Sequence, residues 1–135
     1  MPLRVDHVGL SVGDLEAASE FYSRAFGFTP QLEFELAPDP IRGLMMRHES
    51  GMRLELFQHE TSVPGLQGVT PIEAHGTRGY SHFALSGPDI GVLFSDALAA
   101  GATAIIEPRP SPEPGVRFAF LADPEGNLVE LVELA

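Results

Sequence analysis

Two histidines and two glutamates stand at corresponding places in a chain that repeats itself. Shifting the 135-residue sequence by 75 positions aligns its two halves without a gap, so that His7 falls on His82 and Glu55 falls on Glu130. Imidazole nitrogens and carboxylate oxygens together suit a divalent transition metal, and in an octahedron four such ligands leave two positions for water or substrate oxygens. The repeated residues therefore predict a metal site.

The repeat rests on nine identities between the two halves. The identical pairs are His7/His82, Leu10/Leu85, Ser11/Ser86, Asp14/Asp89, Ala25/Ala100, Arg42/Arg117, Gly51/Gly126, Glu55/Glu130 and Leu56/Leu131. The pairs include the polar residues that begin helices or turns as well as the candidate ligands. Self-similarity of this kind predicts two copies of one supersecondary unit.

The sequence of each half predicts one strand, then a helix, then three further strands. The segments "VDHVGLSV" and "YSHFALSG" alternate apolar with small or polar residues, and each meets an aspartate, Asp14 or Asp89, placed to cap a helix. A hairpin joins the last two strands of each half. The predicted later strands lie near 29–36, 42–48, 52–58, 103–107, 116–122 and 127–133. Residues 59–78 are predicted to be a linker, and 108–115 a loop too proline-rich for a strand.

The four candidate ligands share strand faces with small or apolar residues. His7 lies on one face with Gly9 and Ser11, and His82 lies on one face with Ala84 and Ser86. A solvated face of an antiparallel sheet would also carry polar residues, and that alternative needs no function. The repetition of both residue types at one offset favours the metal site, because imidazole and carboxylate groups are costly among apolar neighbours unless paired or metal-bound.

Ser11 offers a competing chemistry, because "GLSVG" matches the Gly-x-Ser-x-Gly spelling of a nucleophile elbow. That elbow exposes a serine at a sharp turn in a large, mainly parallel sheet. The chain is short for such a fold. The second half has Ala84 and Pro88 where the motif requires glycines, so we interpret Ser11 as a serine at a strand end.

Composition excludes several classes of partner and chemistry. The net charge of −11 disfavours nucleic acid, and the absence of cysteine excludes disulfides and thiolate ligands. No uncharged run reaches the roughly 20 residues of a membrane span, and the N-terminus has no secretory signal pattern, so we expect a cytoplasmic protein with no membrane partner. All eight cationic residues are arginine, which excludes Schiff-base lysine chemistry.

The segments "DHVGLSVGDLEAASEFYSRAFGF", "RLELF", "GYSHFAL" and "FLADPEGNLVELVE" resemble the vicinal oxygen chelate superfamily of glyoxalase I, bleomycin-resistance proteins and extradiol dioxygenases. The resemblance covers 1–135 as one α+β domain. It implies two βαβββ modules, about 1–60 and about 79–135, that form an open eight-stranded barrel-like sheet. It also implies a homodimer and makes the metal ligands His7, Glu55, His82 and Glu130.

The ligand set is most similar to that of bacterial glyoxalase I, which implies a lyase or isomerase of small molecules that moves a proton next to a carbonyl through a metal-bound enediolate. The resemblance implies one nickel, cobalt, zinc or manganese ion per site, with iron disfavoured. Glu130 or Glu55 would be the catalytic base, and Glu130 is favoured. The family's glutathione-binding arginine and asparagine are replaced by Ser11 and His59, so the thiol of the substrate stays open.

Three alternatives remain at the level of sequence. A methylmalonyl-CoA epimerase-like isomerase would use the same metal and enolate chemistry on a thioester. An Fe(II) dioxygenase needs only two histidines and one carboxylate, so Glu55 would occupy a position that this chemistry leaves open. A drug-binding resistance protein would bind its ligand without metal and would not require all four residues.

Overall fold

A computed structural model describes residues 1–65 and 69–134 of the chain. The chain is divided into two compact units, Met1–Val63 and Pro64–Ala135. The predicted linker at 59–78 includes residues 66–68, which lie outside the described residues. No helix in the described part of the chain is long and apolar enough to cross a membrane.

The first unit is a four-stranded mixed sheet with one helix. The elements are β1 (His7–Ser11), α1 (Leu15–Phe26), β2 (Thr29–Glu35), β3 (Ile41–Arg47) and β4 (Arg53–His59). The strands run in the order β1-β4-β3-β2, in which β1 is parallel to β4 and the other neighbours are antiparallel. The hairpin predicted for the last two strands is therefore confirmed.

The second unit repeats this topology with one additional helix. The elements are α2 (Pro71–Ala74), β5 (His82–Ser86), α3 (Ile90–Ala99), β6 (Thr103–Pro110), β7 (Val116–Ala122) and β8 (Leu128–Leu134). The strand order is β5-β8-β7-β6, with β5 parallel to β8 and antiparallel pairs elsewhere. The predicted α+β class and both βαβββ modules are thereby confirmed.

Both long helices begin at the predicted aspartates. The Asp14 carboxylate accepts a hydrogen bond from the Ala17 N–H at 2.9 Å, and Asp89 does the same for Val92 at 3.2 Å. Each cap satisfies one backbone donor that the first turn of a helix leaves unpaired. Each cap lies in the three-residue connection between the histidine-bearing strand and the helix that follows it.

The β7–β8 turn is built around a buried aspartate. Asp123 is 3% exposed, and its carboxylate accepts hydrogen bonds from the Glu125 N–H and from both the backbone and the side-chain amide of Asn127. The turn closes with a 2.9 Å hydrogen bond from the Gly126 N–H to the Asp123 carbonyl, and Gly126 has a φ of 87°. Glycine adopts this left-handed conformation without a steric cost.

Two predicted loop regions contain secondary structure. The predicted loop at 108–115 is wrong at its start, because β6 continues through Pro108 to Pro110. The strand lies at the edge of its sheet, where proline is tolerated because the N–H groups on the outer side of the strand have no ladder partner, and its register shifts twice along β7. The predicted linker contains α2, which begins at Pro71 and is capped by the side chain of Thr70.

Each unit has an apolar core on the helix side of its sheet. In β4, the alternate residues Leu54 and Leu56 are fully buried. In β8, Val129 and Leu131 are fully buried in the same alternation. Since side chains alternate across a strand, the residues between them, Glu55 and Glu130, face the other side. The packing of the core thus determines the face on which both glutamates lie.

Candidate functional site

The first candidate pair lies on the parallel strands β1 and β4. Glu55 stands opposite Gly9 in this register, and His7 is on the same face of β1 two residues earlier. The His7 Nε2 atom lies 3.3 Å from a carboxylate oxygen of Glu55, and the two side chains are 36% and 20% exposed. The shared face brings an imidazole nitrogen and a carboxylate together at the surface of the sheet.

The second candidate pair reproduces this arrangement on β5 and β8. Glu130 stands opposite Ala84, and the His82 Nε2 atom lies 3.0 Å from a carboxylate oxygen of Glu130. These side chains are 24% and 22% exposed. In both pairs the imidazole therefore presents Nε2, the ring atom farther from the backbone, to a carboxylate.

The other ring nitrogen of each histidine has a different partner, which the sequence reasoning missed. Asp6 accepts a hydrogen bond from His7 Nδ1 at 2.7 Å, and Ser81 Oγ lies 2.7 Å from His82 Nδ1. Asp6 is held in turn by a 2.6 Å ion pair with Arg53. The hydrogen bond with His7 and then that with Arg53 lower the pKa of the Asp6 carboxyl below its usual value.

The ring of His82 also packs against other aromatic rings. Phe120 on β7 meets it edge to face with the centroids 4.8 Å apart, and the His75 ring, just after α2, is centred 6.5 Å away. Phe120 belongs to a buried cluster with Ala74 and Leu128. The sequence placed Phe120 in a predicted strand and His75 in the predicted linker, but only the structure shows that both rings lie beside His82.

The four predicted ligands are thus found as two pairs, one within each unit. Among residues 1–65 and 69–134, no group of three or more His, Asp or Glu side chains is disposed to hold a metal ion. Each pair offers one imidazole nitrogen and one carboxylate, which is the donor chemistry of a divalent transition metal.

Ser11 lies at the end of β1 and is exposed. No histidine in the described part of the chain hydrogen-bonds to its side chain, whereas a nucleophilic serine needs an adjacent base. His59, the other position that departs from the family pattern, ends β4, where its Nδ1 accepts the Thr61 N–H at 3.0 Å.

A surface cavity of about 380 Å³ lies elsewhere in the first unit, between α1 and the strands β2 and β3. Its lining includes Glu16, Arg24 and Arg42, and neither member of the first candidate pair. Arg42 is paired there with Glu16. The cavity is therefore separate from the pair formed by His7 and Glu55.

The match to a protein family covers almost the whole chain. Residues 4–131 match the model of the Glyoxalase/Bleomycin resistance protein/Dioxygenase superfamily. The chain belongs to this superfamily. The resemblance carried by the His and Glu motifs is thereby confirmed, and both candidate pairs lie within the matched residues.

Relatives of the chain include proteins named lactoylglutathione lyase. The chain is 29% identical over 127 residues to lactoylglutathione lyase GLX1 of Arabidopsis thaliana, covering 94% of this chain and 43% of that protein. It is 27% identical over 133 residues to the "Probable lactoylglutathione lyase" of Vibrio cholerae, covering 96% and 90%. The chain therefore spans less than half of the plant relative and most of the bacterial one.

Solved structures support the same fold. A glyoxalase family protein from Bacillus cereus aligns with a TM-score of 0.81 and 21% identity, covering 100% of this chain and 97% of that one. At this identity the likeness shows the fold alone. It agrees with the two four-stranded mixed sheets described above.

Proposed function

We propose that the chain is a divalent-metal-dependent lyase or isomerase of the glyoxalase I type, which moves a proton at a carbon next to a carbonyl group. One observation carries this proposal. Each unit places a histidine Nε2 within 3.3 Å or less of a glutamate carboxylate, on equivalent parallel strands. A solvated sheet face would not require this pairing twice.

The metal would be held by His7, Glu55, His82 and Glu130. Their donor atoms fit a divalent transition ion, because both imidazoles present Nε2 while Nδ1 is occupied by Asp6 or Ser81. Nickel, cobalt, zinc or manganese suits this mixed set. Such an ion, when bound, polarises substrate oxygens and stabilises the negative charge that develops on them.

The glutamates supply the proton transfer. A carboxylate removes a proton from the carbon next to the carbonyl and returns it to the neighbouring carbon, which is general base and then general acid catalysis. Glu130 is our choice for this role. Its partner His82 has two further contacts, the ring of Phe120 and the Ser81 hydroxyl, which hold the imidazole beside the Glu130 carboxylate.

The substrate we propose is a hemithioacetal, the class suggested by relatives named lactoylglutathione lyase. Its thiol need not be glutathione, because Ser11 and His59 occupy the positions at which the resemblance expects an arginine and an asparagine. His59 Nδ1 already accepts the Thr61 N–H. The proposed substrate is therefore a hemithioacetal whose thiol component these two positions do not specify.

The first test measures metal in the full chain, purified without chelators or a histidine tag. We expect His82→Ala and Glu130→Ala to lose most of the bound metal while keeping the wild-type circular dichroism spectrum. Asp39→Asn serves as the control, since Asp39 is an exposed carboxylate outside both pairs. Wild-type metal content in both pair variants would refute the ligand assignment.

A second test separates the base from the ligands. Glu130→Gln keeps the shape of the side chain but removes its ability to take a proton, so we expect turnover of a hemithioacetal to fall about 100-fold or more. Glu55→Gln should lower turnover less than Glu130→Gln does, when the two variants are compared at equal metal content. The reverse order would make Glu55 the base, and unchanged turnover in both would exclude carboxylate catalysis at this site.

A further inference from the structure

The two candidate pairs differ in what holds the histidine from behind. In the first unit, Asp6 contacts His7 Nδ1 and is itself paired with Arg53. In the second half of the repeat, Ser81 stands at the position that corresponds to Asp6, and Leu128 stands at the position that corresponds to Arg53. The repeat thus preserves the ligands and changes their supports, replacing a carboxylate–guanidinium pair by a single hydroxyl.

The Asp6 carboxylate determines where the proton of His7 lies. An ionised carboxylate only accepts hydrogen bonds, so its 2.7 Å contact requires a proton on Nδ1. The opposite contact, from Nε2 to Glu55, is longer at 3.3 Å. Arg53 donates to the same Asp6 oxygen, Oδ2, that receives the His7 proton. The shorter, charge-supported contact therefore places the proton on Nδ1 and frees the Nε2 lone pair.

Ser81 imposes no such choice on His82. A hydroxyl both donates and accepts, so it satisfies Nδ1 in either tautomer. The opposite contact, from Nε2 to Glu130, is 3.0 Å, and a carboxylate there only accepts. In the metal-free protein this combination favours a proton on Nε2 of His82, with the Ser81 hydroxyl donating to Nδ1.

We propose that Asp6 is a positioning residue that holds His7 as its Nδ1–H tautomer, so that the first unit presents a ready metal ligand while the second unit must move a proton first. The inference rests on the proposed metal function for its consequence, but not for the tautomer itself. Partners of this kind orient metal-binding histidines and raise their basicity. Asp6 acts only through His7.

The tautomers are measurable in the metal-free chain by long-range ¹H–¹⁵N NMR, because the ring-nitrogen shifts of a neutral imidazole distinguish its Nδ1–H form from its Nε2–H form. We expect Nδ1–H for His7 and Nε2–H for His82. Exchanging the supports tests the cause. Asp6→Ser should shift His7 towards Nε2–H, and Ser81→Asp should shift His82 towards Nδ1–H. A His7 tautomer that Asp6→Ser leaves unchanged would overturn the proposal.

Affinity for Ni²⁺, measured by isothermal titration calorimetry of the full chain, gives the second readout. We expect Asp6→Ser to weaken binding about tenfold, the lower end of the effect of such partners on metal affinity. Asp39→Asn, which removes an equal charge from an exposed site of the same unit, should change it less than twofold. An Asp6→Ser loss no larger than that control would overturn the positioning role.

Failure of the two proposals can be told apart. If the wild-type chain binds no Ni²⁺ but the tautomers still change with Asp6→Ser, the metal function fails and the positioning by Asp6 stands. If the wild type binds Ni²⁺ and Asp6→Ser alters neither tautomer nor affinity, the metal function stands and the role of Asp6 fails.

Discussion

Phe120 and Met45 occupy equivalent places beside the two glutamates. Phe120 pairs with Glu130 across β7 and β8, and Met45 pairs with Glu55 across β3 and β4. The aromatic ring lies edge-on to His82 at 4.8 Å, a geometry that restricts the imidazole. The first histidine is held by charge and the second by packing, although the ligands are identical.

We expect Phe120→Met, which installs the residue found in the first unit, to leave the chain folded and to weaken metal binding a few-fold. The substitution keeps most of the buried volume, so its cost should stay below about 1.5 kcal/mol. Loss of the edge contact should free the ring of His82. Calorimetry with Ni²⁺ and ¹⁵N relaxation of His82 test this, and unchanged ring order would contradict it.

Ser11 is the residue where sequence alone left two chemistries in competition. We expect Ser11→Ala to keep turnover within a few-fold, because no histidine in the described residues contacts its hydroxyl and a serine without a base is a weak nucleophile. The assay is the rate with a hemithioacetal in metal-loaded protein. Complete loss of turnover with metal still bound would restore the serine as the nucleophile.

At the scale of elements, a side chain from the last strand of each unit reaches the start of the helix. Gln58 accepts the Leu15 N–H at 2.7 Å, and Glu133 accepts the Ile90 N–H at 3.0 Å. These residues are equivalent in the repeat but differ in type, so a search for identities missed them. Each satisfies a second donor in the first helical turn, alongside the aspartate cap.

We expect Gln58→Ala to lower the free energy of unfolding by about 1 kcal/mol, because a partly buried backbone N–H loses its partner. Urea denaturation followed by circular dichroism measures the change. Gln31→Ala provides the control, since its 3.3 Å contact with Arg53 is exposed. Equal effects of the two substitutions would show that the cap contributes nothing specific.

The ion pair between Glu16 and Arg42 joins α1 to β3. The hydrogen bond from Arg42 is the main cause that lowers the pKa of Glu16 below its usual value. A carboxyl with a lowered folded pKa stabilises the fold above its unfolded pKa and loses that contribution as the pH falls through the folded pKa. The pair therefore acts at neutral pH and is lost in acid.

We expect the Glu16 carboxyl, followed by ¹³C NMR, to titrate below the ordinary range for glutamate, and Arg42→Gln to raise its midpoint towards that range. The direction follows from removal of the charged donor. A midpoint that Arg42→Gln leaves unchanged would assign the shift to the backbone hydrogen bond of Glu16 instead.

Elements that carry a periodic pattern were the most predictable from sequence. The strands with His7 and His82 and the helices capped by Asp14 and Asp89 follow from alternation and capping. The end of β6 could not be predicted in this way. Proline disfavours a strand only where its missing N–H would have bonded to a neighbouring strand, and the sequence does not reveal which strand lies at the edge of the sheet. Likewise, nothing in the sequence indicated a partner for Asp6, which the pairing of β1 with β4 brings beside Arg53.

At the scale of the whole molecule, the repeat explains why one short chain carries a complete set of four candidate ligands. Each unit supplies one histidine and one glutamate, and neither unit alone offers more than two of the predicted ligands. The pairs themselves were predictable, because the position of each glutamate within a buried strand follows from alternation. The supports behind the histidines were not: Asp6 and Ser81 each adjoin their histidine, but adjacency in a strand does not predict a side-chain contact, and Arg53 reaches Asp6 from 47 residues away through the pairing of β1 with β4.

We expect about one divalent ion per chain, and a homodimer with about two ions, in protein purified without chelators. One set of two histidines and two glutamates per chain limits the content to one ion, regardless of which chain supplies each pair. Plasma mass spectrometry measures the metal content and light scattering measures the mass of the assembly in the same sample.

Other outcomes would change the proposal. Half an ion per chain in a homodimer would mean that only one of the two ligand sets binds metal. Iron in place of nickel, cobalt, zinc or manganese would favour dioxygenase chemistry. A dimer that binds no metal even after reconstitution would contradict the metal-dependent reaction and would favour the alternative of a protein that binds a small molecule without metal.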